Sequence, residues 1–123
     1  MVEVAFVLPV LLLILLGIFD FGRAIFAYNL VSNAAREGAR AAIVDQNPTV
    51  VEDEARATAI SLDPALMTVT FTTCAPPIKI GCEAIVTVDY EWSAITPLMS
   101  SVVGPISLSS TTEMPIERVY VSP

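Results

Sequence analysis

The chain has 123 residues, 54% of them hydrophobic, a formal net charge of −7, two cysteines and no histidine. That length holds one small domain beside a long apolar segment, and the missing histidine removes most metal constellations and every His-dependent nucleophilic arrangement. Residues 1–44 balance three acids against three arginines, whereas residues 45–123 carry ten acids and three bases, so the excess negative charge is all downstream. An acidic domain of this kind has no electrostatic footprint for nucleic acid and no polybasic patch for anionic lipid.

Val4 to Phe19 is a run of 16 residues without a charge, bracketed by Glu3 and Asp20. As a helix it rises about 24 Å, against roughly 30 Å of bilayer hydrocarbon. Its thirteen Val, Leu, Ile and Phe residues contribute on the order of −6 kcal/mol to insertion, which outweighs Pro9, Gly17 and the terminal Glu3. No basic segment precedes the run and it leads into more helix, which fits a cleavable signal poorly. It has no polar face, which fits a soluble core helix no better. The run therefore reads as a segment that inserts into a membrane and is then packed against copies of itself. Pro9 removes one backbone hydrogen bond and predicts a kink or local loosening. Whether the helix melts on assembly does not follow from the sequence, but Pro9 and Gly17 are where a melted segment would be sought.

The helical pattern continues through Arg23, Tyr28 and Leu30 to about Val44, where Asp45-Gln46-Asn47-Pro48 ends it. Asp20 and Arg23, three residues apart, can pair on one face. The stretch Ala34-Ala35-Arg36-Glu37-Gly38-Ala39-Arg40-Ala41-Ala42 surrounds the helix with small side chains that admit another backbone at close range. High helix propensity is the plainer account of the alanines, but Gly38 costs about 1 kcal/mol relative to alanine and asks for a packing reason.

Thr49 reads as the N-cap of a second, shorter helix, with Glu52 completing a capping box. Ala55, Ala59, Ile60 and Leu62 are its candidate core residues, and Asp63-Pro64 stops it. Met67–Thr73 and Ala84–Trp92 alternate strictly and predict two strands. Cys74 and Cys82 flank the loop between them and read as a disulfide in an oxidising compartment; two free thiols in a cytosolic protein are the alternative. Thr96–Val103 reads as a short helix with Pro97 at its first position, and Ile106–Thr112 as a third strand that Pro115 frays. The fold expected is α+β: a long N-terminal hydrophobic helix over residues 1–44 for membrane insertion and filament core, then an acidic extracytoplasmic head over 45–123 with an antiparallel sheet of about three strands.

Little here suggests catalysis. Glu52, Asp53 and Glu54 point in different directions around a helix and favour its positive N-terminus, with calcium binding as the alternative. The serines at 100, 101, 107, 109 and 110 have no histidine to activate them. Asp89 and Glu91 share one strand face, the solvated one, and Tyr90 and Trp92 share the other, the core one. Neither an enzyme nor a cofactor is expected. Glu3 stands apart: among packed helices a buried carboxylate needs a cation, and the one near that end is an α-amino group, the chain's own or a neighbour's; a plain interfacial charge is the alternative.

The Glu3-to-Pro9 start, Gly17-Ile-Phe-Asp-Phe-Gly-Arg23 and Ala34-Ala-Arg-Glu-Gly-Ala-Arg40 occur in order, and together they resemble the N-terminal signature of TadE-like proteins, pilin-related components of tight-adherence secretion systems. Val86-Thr-Val-Asp-Tyr90, Ile95-Thr-Pro-Leu-Met99 and Gly104-Pro-Ile-Ser-Leu-Ser109 also resemble that family's strand, proline-leucine helix, strand order. The resemblance implies a pilin-like subunit cleaved by a prepilin peptidase, held in the inner membrane, and drawn by the Tad assembly machinery into an extracellular adhesive filament made of copies of itself. It also implies a basic leader that this chain lacks, so the chain is expected to be a mature form, with one or two residues missing before Glu3. Glu3, Pro9, Gly17, Asp20, Arg23, Arg36, Glu37, Gly38 and Arg40 are the expected assembly residues. The alternatives are a low-copy minor pilin and a membrane-anchored extracytoplasmic binding module. In an anchor Asp20, Arg23 and the small-residue face would be solvated and Gly38→Leu would do little; in a polymer the same change would wedge neighbours apart and abolish filaments.

Overall fold

The computed structural model describes residues 1–119. Helix α1 (Val2–Ala42) runs through Pro9 and Gly17 without a break. It ends two residues before the expected Val44, where the Gln46 side-chain amide donates to the Ala42 carbonyl (2.8 Å) and to the Arg118 carbonyl (2.8 Å). The Ile43 carbonyl accepts from the backbone N–H groups of Glu117 and Arg118. Carbonyls that a helix terminus leaves open are thus used to tie α1 to the segment after the last strand.

Helix α2 (Pro48–Thr58) is capped by Asn47, whose side-chain oxygen accepts from the Thr49 N–H at 3.1 Å. The cap is therefore two residues earlier than Thr49, with Pro48 at the first helical position, where a missing N–H costs nothing. Glu52 does not close a capping box; it is drawn to Arg56 one turn on (2.7 Å). Arg56 also donates to the carbonyls of Pro64 and Met67, joining α2 to the following 3-10 turn (Pro64–Leu66) and strand β1 (Met67–Thr72). Ala55, Ala59 and Leu62 are buried, but Ile60 is 84% exposed and is not a core residue. The chain leaves the helix at Ala59, so the helical spacing that aimed Ile60 inward no longer applies.

Strand β2 (Glu83–Trp92) lies in the centre of a three-stranded antiparallel sheet, between β1 and strand β3 (Ile106–Pro115). Helix α3 (Pro97–Val103), with Thr96 before it and Pro97 first, connects β2 to β3. The third strand extends three residues past the expected Thr112 because β2 pairs with it along its whole length, Glu83 opposite Pro115 and Trp92 opposite Ile106. One sheet face carries Met67, Ala84, Val86, Val88 and Trp92 into the core. Thr87 and Thr111 share a hydroxyl hydrogen bond on the other face. Cys74 and Cys82 form a disulfide across the β1–β2 loop, Cα to Cα 5.8 Å. Closing so short a loop contributes about 2.5 kcal/mol in the chain-entropy account.

The core is where helix and sheet meet. Ala27, Val31, Ala34, Ala35, Ala39 and Ala42 of α1 are buried against α2 and the sheet. The second half of α1 is thus a wall of the head, while none of the apolar window in its first half is covered by the chain.

Candidate functional site

Helix α1, apolar and uncovered in its first half and a wall of the head in its second, changes character where Asp20 and Arg23 stand. Asp20 is 4% exposed. Its Oδ1 lies 3.5 Å from the Arg23 guanidinium and accepts from the Ile95 N–H at 3.4 Å, across 75 positions of sequence. The Arg23 guanidinium is set 5.8 Å from the centroid of the Trp92 ring, within the range of a cation–π contact. Asp20 and Arg23 therefore pair on one face as expected, and in doing so fasten α1 to the β2–α3 connection. That use of Trp92 and Ile95 was not legible from spacing along the chain. A signal did exist: Asp20 falls in register with the buried stripe of Ala27, Val31, Ala34 and Gly38, so a carboxylate on that stripe has to meet the head.

Asp20→Ala leaves the Ile95 N–H without its acceptor and Arg23 without its carboxylate. Since the Arg23 side chain is 43% exposed, the ion pair itself is worth little. The expected loss is positional: the junction loosens, and Trp92, the single tryptophan, shows red-shifted fluorescence as water reaches its ring. An unshifted Asp20→Ala spectrum would show that Asp20 does not hold the junction.

Gly38 lies deeper. A Cβ placed on it would be 3.0 Å from Val86 Cγ1 and 3.2 Å from Ala55 Cβ. The small side chains at 34, 35, 38, 39 and 42 are buried by α2 and β2 of the same chain. Their expected solvation in a monomeric anchor is therefore corrected: the face is filled whether or not the chain polymerises, and Gly38→Leu does not separate the two readings. Periodicity showed that something comes close, but not whether it belongs to the same chain.

The remaining expected assembly residues are on the uncovered side or beyond the head. Arg36 and Arg40 are exposed one turn apart, with Glu37 half-buried beside them. Glu3 is exposed, and among the described residues it has no ion pair, with its own α-amino group or any other. Pro9 and Gly17 lie within the uncovered apolar half. At Gly22 a largely apolar notch of about 360 Å³ opens on α1 between Ile18, Phe19, Arg23 and Phe26. Glu52 is held by Arg56, which leaves Asp53 and Glu54 exposed on α2.

Residues 1–40 match the family model of TadE, described as TadE-like protein. The match covers about a third of the chain and marks a likeness of its N-terminal helix. No curated protein and no solved structure matches it. The matched residues are those of α1, from the uncovered apolar half to the wall of the head. The same helix is long and apolar enough to cross a membrane, by length and composition.

Proposed function

We propose that this TadE-like chain is a structural subunit, held in the inner membrane through α1 and then assembled with copies of itself into an extracellular adhesive filament. The observation that carries this reading is the division of α1. Its second half is satisfied within the chain, whereas Val4 to Leu16 presents large apolar side chains on every side, all of them exposed. Such a surface needs lipid or other apolar helices around it. The notch at Gly22 admits a side chain from a neighbouring helix in the filament. A prepilin peptidase and the Tad assembly machinery are the partners this pathway requires.

A membrane-anchored binding module, or a low-copy minor pilin, is the second reading. It is favoured by the burial of Gly38 and its alanine neighbours within the chain, since these small residues no longer call for a polymer to explain them.

The test is to shear surface appendages from the native cells and measure how much of this chain the sheared fraction contains. The filament subunit is the dominant protein there, with its disulfide intact. A trace amount identifies a minor pilin, and confinement to the membrane pellet identifies an anchor.

A further inference from the structure

We infer that α3 and its flanks are a second membrane contact, a lipid-facing underside on which the head rests against the bilayer surface beside the point where α1 enters it. The inference rests on the membrane-held state proposed above. Three observations carry it. The first is composition: in a head rich in acids, the 21 residues between Glu91 and Glu113 carry no charge at all. The second is exposure. Ile95 is 70% exposed, Leu98 51% and Val102 77%, and Val103 and Ile106 are exposed beside them. Apolar side chains left outside the core in one contiguous connection are more than scattered surface hydrophobics.

The third observation is position. Met99, Val103 and Ile106 line one largely apolar cavity of about 190 Å³ together with Gly17, Asp20 and Phe21 of α1. The underside is therefore continuous with the upper end of the apolar run and level with it. The run itself rises only about 24 Å in roughly 30 Å of hydrocarbon. A helix short by about one turn seats the head low, and an interfacial element buries its apolar face about 5–10 Å into the headgroup boundary, the level that α3 occupies. The carboxylate at this level does not oppose the contact, because Asp20 is turned into the junction with the head and away from the lipid.

One exposed apolar residue elsewhere on the head does not share this placement. Ile80 is 72% exposed but sits in the loop at the opposite end of β2 from Trp92, far from the apolar run.

The experiment uses the full chain in phosphatidylcholine vesicles with brominated acyl chains. A fluorescent label is placed on Val102→Cys, on Ile80→Cys and on Leu12→Cys, under conditions that preserve the native disulfide. Leu98→Cys repeats the first position in case the Val102 label disturbs α3. Brominated lipid is expected to reduce the emission at Leu12, Val102 and Leu98 roughly two-fold or more, the depth of an interfacial segment placing the label within reach of the quencher, and to leave Ile80 unchanged. Quenching at Leu12 without quenching at Val102 or Leu98 overturns the lipid-facing underside and leaves the membrane-held reading intact. No quenching at Leu12 overturns both. If the Val102 label is shielded only at high protein-to-lipid ratio and not by brominated lipid, a second copy covers the surface and the inference fails.

Discussion

Gly38→Leu is expected to lower the midpoint of the head's thermal unfolding by about 10 °C or more. The Cβ alone would already stand 3.0 Å from Val86 Cγ1 and 3.2 Å from Ala55 Cβ, and leucine adds three further carbons where Val86, Ala55 and Val51 are fully buried. Overpacking of a filled core costs about 1–3 kcal/mol when a few methylenes are added. A whole leucine at a helix–helix–sheet contact lies at or above the top of that range, against a total stability of about 5–15 kcal/mol for an ordinary domain. Gly38→Ala is milder, since about 1 kcal/mol of helix propensity opposes the crowding. Adding Val86→Ala removes the nearest methyl and should return part of the loss, a coupling of about 0.5–3 kcal/mol between touching sites. Near-ultraviolet circular dichroism of Trp92 during thermal unfolding reads all four chains. An unchanged midpoint for Gly38→Leu would refute the packing described. Loss of surface filaments in that variant is accordingly evidence of a misfolded head before it is evidence about polymer contacts.

Glu3 carries the second large effect, and here the readout is assembly. The carboxylate is exposed, and among the described residues it has no ion-pair partner. In the proposed filament the apolar helices replace lipid around it, and the cation it meets is an α-amino group supplied by a neighbouring copy. Removing one partner of a buried pair costs about 3–5 kcal/mol, and each 1.4 kcal/mol is tenfold in an association constant, so subunit addition weakens by about a hundredfold or more. Glu3→Gln and Glu3→Ala should both remain in the membrane fraction and both be absent from sheared appendages. Filaments at normal abundance in the two variants would remove the pairing from the proposal.

Much of the head was legible from alternation and punctuation. The strand from Met67 and the one ending at Trp92 alternate because one face of the sheet is buried and the other wet, and Pro97 marks the start of α3 because its missing N–H is harmless there. Ile60 was misplaced because the apolar period was carried past Ala59, where the helix stops. Thr49 was misplaced as a cap because Pro48, read as a breaker of the first helix, is the first residue of the second. The length of β3 past Thr112 was set by its partner strand, a pairing that spacing within β3 does not contain.

At the site the division is sharper. Local order in the residues determined that α1 is one long helix, that its first half belongs in an apolar medium, that Asp20 and Arg23 pair, and that something packs closely on Gly38. These follow from charge, hydropathy and side-chain size at helical spacing, which are properties of neighbours along the chain. Only the tertiary structure decided that the backbone and side chains close to Gly38 are those of α2 and β2 in the same molecule, that Asp20 accepts from Ile95 and Arg23 lies over Trp92, and that the charge-free connection between β2 and β3 lies level with the end of the apolar run. Those facts depend on which distant segments fold back onto the helix, and a periodic stripe of small residues looks the same whether its partner is its own head or another copy.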